Sequence, residues 1–125
     1  MRICTICKIN PPRNKTSSYC KSCHNTHQKK YYKEHPESIR QSLINRRKRA
    51  RELVIKAKDK PCLDCGIKYP SYVMDFDHKG KKNFNISVSA SQCRSLSSIQ
   101  KEIDKCEVVC ANCHRMRTFK DANLT

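Results

Sequence analysis

The sequence contains no tryptophan, and aromatic residues make up only 6% of its 125 residues, whereas charged residues make up 30%. A chain of this length and composition cannot easily bury a large apolar core, so we expect another device to stabilise one ordinary domain or two very small ones. The first residues, MRICTICK, lack the apolar segment of a secretory signal, and no apolar run is long enough to span a membrane. We therefore expect a cytoplasmic protein with no membrane partner.

Ten cysteines are present, and eight of them form four C-x-x-C pairs. Without a secretory signal this spacing favours zinc over a disulfide scaffold, because two thiolates three residues apart can reach one tetrahedral ion. Two pairs are 12 residues apart and two are 44 residues apart, which predicts two structural Zn²⁺ sites. The predicted ligands are Cys4, Cys7, Cys20 and Cys23 in the first site and Cys62, Cys65, Cys110 and Cys113 in the second. The remaining two, Cys93 and Cys106, are expected to be buried free thiols.

Basic residues outnumber acidic residues by 27 to 11, which gives a formal charge of +16. The excess is concentrated in residues 1–60, which hold 17 basic and 4 acidic residues. A field of this size attracts polyanions and favours DNA as a partner. The alternative is a charged surface that only keeps the protein soluble.

Residues 36–60 are predicted to form a long helix between the two zinc sites. Pro36 suits a first helical position, Pro61 ends the run, and apolar residues recur at spacings of three, four and seven beside a basic face. The basic block is dense and predicts DNA contact by Arg46, Arg47, Lys48, Arg49 and Arg51, although a packing helix with a merely solvated basic face is the alternative. Residues 24–34 are also expected to be helical, with Tyr31 and Tyr32 as core or stacking groups.

After Cys65 the pattern changes to that of an α+β domain. Alternation of apolar and acidic residues predicts a strand over 72–77, and the segment 84–89 is predicted to return as its hairpin partner. Helices are expected over 95–105, with Ser97 and Gln100 as a capping box, and from near Cys110 onward. A short extended piece is expected between these helices, at 107–110.

His114 directly follows Cys113, and it is rotated by about 100° from that cysteine on a helix. It is therefore not expected to complete the second zinc site. That zinc ties in the end of the strand, where Asp77 and His78 point to opposite sides. Asp77 and His114 can hold a hard divalent cation, while His78 stays free to take a proton from water.

A D-H pair placed between C-x-x-C and C-x-x-C-H resembles the HNH (ββα-metal) endonuclease family, over about residues 62–118. The chain looks most like small phage-type members, and its N-terminal C-x-x-C pairs with a Tyr-rich basic helix are loosely similar to leader regions of endonuclease VII relatives. The resemblance implies that His78 is the general base, that Asp77 and His114 bind catalytic Mg²⁺ or Mn²⁺, and that the second Cys4 set holds structural zinc. A phage origin would place the protein in the host cytoplasm.

Several basic residues lie beside these groups in the sequence and are expected to hold phosphates: Lys79, Lys81, Lys82, Arg115 and Arg117. Asp75 shares a strand face with Asp77 and is either a supporting group for the cation site or an exposed acid. His24 follows Cys23 as His114 follows Cys113, but it has no D-H pair nearby and is read as non-catalytic. The family's middle asparagine is replaced by Lys105, a departure from the pattern.

The expected organisation is an N-terminal Cys4 zinc knuckle or ribbon at residues 1–34, a basic linker helix at 35–60 and an HNH endonuclease domain at 61–125. The expected function is metal-dependent hydrolysis of DNA phosphodiester bonds, by nicking or double-strand cleavage of a duplex. The alternative is a non-catalytic zinc-finger DNA-binding protein, which the lysine at position 105 leaves open.

Overall fold

The computed structural model describes residues 1–123. These residues form four α-helices and two short strands, so the predicted α+β class is confirmed. The elements are α1 (Lys21–Glu34), α2 (Pro36–Ala57), β1 (Met74–His78), α3 (Leu96–Ile103), β2 (Cys106–Cys110) and α4 (Ala111–Asn123), with 3-10 turns at Ser71–Val73 and Ile86–Val88. None of the helices in this part of the chain is both long and apolar enough to cross a membrane.

The chain divides into two compact units, Met1–Ser42 and Leu43–Thr125. The boundary falls inside α2, whereas the sequence suggested a linker segment of its own at residues 35–60. In the first unit the buried residues are Cys4 and Cys20, and α1 buries none of its residues. Tyr31 is exposed and stacks on His35, with 4.3 Å between ring centroids. With so little apolar burial, the cysteines must supply most of this unit's stability.

The second unit is built around an antiparallel ribbon of β1 and β2, in which Met74 lies opposite Cys110 and His78 lies opposite Cys106. Acidic side chains at 75 and 77 lie on one face of β1, the face that α4 covers through His114 and Arg117. The opposite face carries Phe76 and His78 toward α3. The predicted alternation is therefore confirmed for residues 74–77, whereas residues 72 and 73, predicted to begin the strand, lie in the 3-10 turn.

Two apolar clusters pack the second unit. One surrounds the second cysteine site and contains Met74, Val108 and Val109. The other lies on the far side of the ribbon, where Ile86, Ala90, Ile99 and Ile103 meet the C-terminal half of α2. Leu53, Val54 and Ala57 of α2 pack here around buried Ala50, so this half of the predicted apolar stripe is a packing surface.

The predicted strand over 84–89 is wrong. The Asn85 side chain accepts a hydrogen bond from the Ser87 backbone N–H (3.2 Å). The segment closes into the 3-10 turn, which buries Ile86 in the apolar cluster beneath α2 and α3. The strand partner of β1 is instead the extended piece before α4, which lies about thirty residues further along the chain. As a result, the other edge of β1 has no strand partner in the described chain.

The helix predicted over 95–105 is present as Leu96–Ile103, but its capping box is wrong. Ser95, not Ser97, is the N-cap, and its hydroxyl oxygen accepts from the Ser98 backbone N–H at 3.2 Å. The last helix begins at Ala111, directly after Cys110, as expected.

Candidate metal centres and histidine site

Each of the two predicted cysteine sets is gathered in space, with all four Sγ atoms within 4.8 Å of one another. The Sγ atoms of Cys7 and Cys20 are 3.7 Å apart, far beyond a disulfide bond. Four sulfurs at the zinc–sulfur bond length on a tetrahedron are about 3.8 Å apart, so this spacing fits one Zn²⁺. Both sets are therefore groups that can bind structural zinc.

The two clusters are assembled by the same local plan. In each, the first C-x-x-C pair is followed by a residue with left-handed backbone, Lys8 (φ 55°) or Gly66 (φ 72°). The backbone N–H of each returns to the carbonyl of the first cysteine at 2.9 Å. In each, the second pair begins a helix, and its first sulfur accepts from the backbone N–H of the second cysteine, as Cys110 does from Cys113 (3.4 Å). The turn after the first pair and the start of the helix at the second pair together bring the four sulfurs of each cluster close to one another.

Charge within the clusters is uneven. Burial opposes ionisation of Cys4 and Cys62, yet backbone N–H groups around each sulfur lower both pKa values to about 6. Hydrogen bonding to the neighbouring sulfurs of Cys20 and Cys110 raises the pKa of Cys23 and Cys113 to about 12. Four thiolates cannot share such a space without a cation, and a divalent ion supplies the missing charge.

His114 lies between the two acids of β1. Its Nδ1 is 3.1 Å from Asp75 Oδ2, and its Nε2 is 3.6 Å from Asp77 Oδ1. With the proton on Nδ1 donated to Asp75, the lone pair of Nε2 faces the oxygen of Asp77. Asp75, which the sequence left open as a supporting group or an exposed acid, is thus the partner that orients His114.

Arg117 organises the acids on this face of the ribbon. Asp77 and Glu107 lie directly opposite each other on β1 and β2, a like-charge pairing that costs stability. One nitrogen of Arg117, Nη1, donates to both carboxylates at 2.7 Å, while Nε and Nη2 donate to Asp64. These bonds, the one to Asp64 first, raise the pKa of Arg117. In this structure the guanidinium donates to carboxylates. The phosphate contact expected of Arg117 stays a prediction.

His78 lies on the other face and is held by Glu102, a residue that the sequence did not single out. His78 Nε2 is 3.0 Å from Glu102 Oε1, which also accepts from the Asn83 backbone N–H at 2.8 Å. The second oxygen, Oε2, accepts from Lys105 Nζ at 2.8 Å. Burial opposes ionisation, but the hydrogen bonds from Lys105 and Asn83 lower the pKa of Glu102 to about 2.

Glu102 had one signal in the sequence. It lies between Ile99 and Ile103 on the buried side of α3, and its side chain is 1% exposed. An acid on the apolar face of a helix is almost never left unpaired, so it points to a cationic or imidazole partner. Lys105, which stands where the resemblance leads one to expect asparagine, provides one of those partners.

Both histidines line one concavity of about 260 Å³. It is lined by residues from both faces of β1, so it lies along the strand edge that β2 leaves unpaired. Two lysines, Lys58 and Lys82, line it together with Asp75, His78 and His114. Burial lowers the pKa of Lys58, which the charge of Asp75 partly counters. Imidazoles and ammonium groups around one acid suit an anionic substrate.

Other predicted contact residues are scattered. Arg46 donates to the Cys93 carbonyl oxygen at 2.8 Å, and Lys79 forms an ion pair with Glu107. The remaining predicted DNA contacts are exposed: Arg47, Lys48, Arg49 and Arg51 on α2, Lys81 after β1 and Arg115 on α4.

The two cysteines outside the C-x-x-C pairs, Cys93 and Cys106, are half-buried rather than buried as expected, and neither belongs to a cysteine cluster.

Compared with known protein families, curated proteins and solved structures, the chain has no significant match.

Proposed function

We propose that this protein is a metal-dependent DNA nuclease of the HNH type, with its active site in the concavity beside β1. One observation carries the proposal. His78 and His114 come from different elements, each is held by its own carboxylate, and both line the same lysine-bearing concavity. Ordinary surface histidines have no reason to be oriented in this way, whereas an acid–base centre does.

His78 is the general base. With Nε2–H donated to Glu102, the unprotonated nitrogen is Nδ1, which takes a proton from the attacking water. Glu102 fixes the tautomer and the ring orientation, in the way that a carboxylate supports the histidine of a catalytic triad. Lys105 and Asn83 also donate hydrogen bonds to this carboxylate, so the group that orients the His78 ring is itself held in place.

Asp77 and His114 would hold the divalent cation. An imidazole nitrogen and a carboxylate oxygen are a suitable pair for Mg²⁺ or Mn²⁺, and Arg117 occupies only the other oxygen of Asp77. A cation held there would offset the negative charge on the phosphate and on the leaving oxygen. Lys58 and Lys82 line the concavity together with His114 and bind the phosphate there, whereas Asp77 does not line it and reaches the site only through His114.

DNA reaches this site along α2. The exposed basic residues at 47–51 precede Lys58 by seven or more positions, about 10 Å or more along the helix. The C-terminal half of α2 is packed onto the cluster that supports β1, so these charges stand at a set distance from the concavity. With a net charge of +16, non-specific attraction to the DNA backbone is strong.

The test is nicking of supercoiled plasmid with Mg²⁺ or Mn²⁺, using the variants His78→Ala and His114→Ala. His78→Ala is expected to lose about 10²- to 10⁴-fold in rate because it removes the base, and His114→Ala is expected to lose most of the activity because it removes a cation ligand. Each variant should keep two zinc ions per chain. His24→Ala is the matched control, since it also follows a C-x-x-C pair and should cut like the parent. A parent protein that binds DNA with both zincs in place but never nicks it would instead be a non-catalytic zinc-dependent DNA-binding protein.

A further inference from the structure

A second concavity, of about 510 Å³, lies along α4. It shares two lining residues, Asp75 and His114, with the proposed catalytic concavity. A DNA strand with a phosphate against His114 would therefore bring its neighbouring nucleotide close to this second concavity.

The side chains of the second concavity suit the flat face of a base. Phe119 lines it with 69% of its surface exposed, although a large aromatic group gains by burial. Arg115 lies one helical turn earlier on the same side of α4 and also lines the space. The small side chains of Ala111 and Ala122 leave room between them. An aromatic ring and a guanidinium are the groups on which proteins stack nucleobases.

We propose that this concavity holds a nucleobase stacked on Phe119, and that the preferred substrate is DNA with an unpaired nucleotide next to the cleaved bond. The proposal rests on the proposed nuclease function for the position of that bond. In a paired duplex the faces of the bases are stacked on each other, so a ring can reach one only where the DNA is single-stranded, bulged or mismatched. Arg115 complements the negative charge of the strand.

The absence of tryptophan makes a direct test possible. Phe119→Trp places a single indole in the concavity, and stacking of a base on it quenches its fluorescence. A single-stranded oligothymidylate, added without Mg²⁺ so that no cutting occurs, is expected to quench strongly, and a fully paired duplex weakly. Tyr72→Trp is the control, since residue 72 is 85% exposed and does not line the concavity. Equal quenching of both variants, or none at position 119, overturns the proposal.

Affinity provides a second measurement. Phe119→Ala is expected to weaken binding of the oligothymidylate by about 5- to 150-fold, the range for loss of one stacked base, and Phe119→Tyr is expected to retain it. Phe119→Ala should bind the paired duplex as the parent does, because a paired base has no free face to stack on residue 119. Because Phe119 is largely exposed, its truncation should leave zinc content and melting unchanged.

The two proposals fail in different ways. Quenching at position 119 without any plasmid nicking supports the base-binding concavity and removes the nuclease. Nicking by the parent, with Phe119→Ala binding and cutting paired and unpaired DNA as the parent does, keeps the nuclease and overturns the concavity. Quenching by apolar peptides but not by the oligothymidylate would identify a protein-docking surface instead and overturn it as well.

Discussion

Replacing Glu102 tests the structure most directly, because its consequence does not depend on any activity. The carboxylate is 1% exposed and accepts three hydrogen bonds, from His78, from the Asn83 backbone and from Lys105. Glu102→Gln keeps one oxygen for His78 and Asn83 but turns an amide N–H toward the ammonium of Lys105. Glu102→Ala removes all three contacts and leaves a cavity beside Ile99 and Ile103.

The expected costs follow from these contacts. Lys105 is 38% exposed and can turn to water, so the glutamine variant loses about one charge-assisted hydrogen bond, or about 1.5–3 kcal/mol. His78 is only 13% exposed, so water cannot easily replace the Glu102 carboxylate as its hydrogen-bond partner. The alanine variant is therefore expected to lose about 3–5 kcal/mol, as when one member of a buried polar pair is removed. Asp104→Asn, an exposed acid at the end of the same helix, should change stability by less than about 1 kcal/mol.

Urea unfolding at fixed free zinc measures these differences, since zinc binding itself shifts the apparent stability. The folded pKa of Glu102 lies below its ordinary value, so its contribution is fully present above pH 4.5 and is lost as the pH falls toward about 2. The loss of unfolding free energy in Glu102→Gln should consequently be the same at every pH above 4.5. A penalty for Glu102→Gln no larger than that for Asp104→Asn would refute the buried Glu102 network.

Three further predictions follow from the cysteine sites and the basic helix. Elemental analysis of washed protein should find two zinc ions per chain; one or none would contradict the two-site assignment. Cys62→Ser should retain only the first zinc and unfold the second unit, seen as loss of the cooperative melt, because that cluster joins residues 48 positions apart. Replacing Arg47 and Arg49 with Gln should weaken DNA binding and flatten its dependence on salt; an unchanged salt slope would mean that these residues only keep the protein soluble.

The parts that could be predicted from the sequence are those set by short-range geometry. C-x-x-C spacing gave both cysteine clusters, and the alternation around Asp75 and Asp77 gave the correct face of β1. The position of His114 away from the sulfur cluster followed from helical rotation alone. The strand face and the direction of His114 need only residues a few positions apart, whereas joining the C-x-x-C pairs into two clusters relies on the four ligands that one zinc ion takes.

Long-range contacts explain what could not be predicted. The apolar segment at 84–89 has the composition of a strand, but burial of Ile86 between α2 and α3 makes it a turn. The true partner of β1 was visible only as a short extended piece, and nothing in its own residues specified the pairing. Glu102 acquires its role in the same way, because its partner His78 is 24 residues earlier in the chain.

The repeated C-x-x-C-H pattern shows what distinguishes a structural site from the proposed catalytic one. His24 and His114 each follow the second cysteine pair at the start of a helix. His114 faces Asp75 and Asp77 of the ribbon. The nearest acid to His24 in sequence is Glu34, ten positions later on α1 and therefore about 15 Å along the helix axis. The cysteines supply the same support in both units, so the proposed hydrolysis depends on the acidic strand, which the described residues form in the second unit and not in the first.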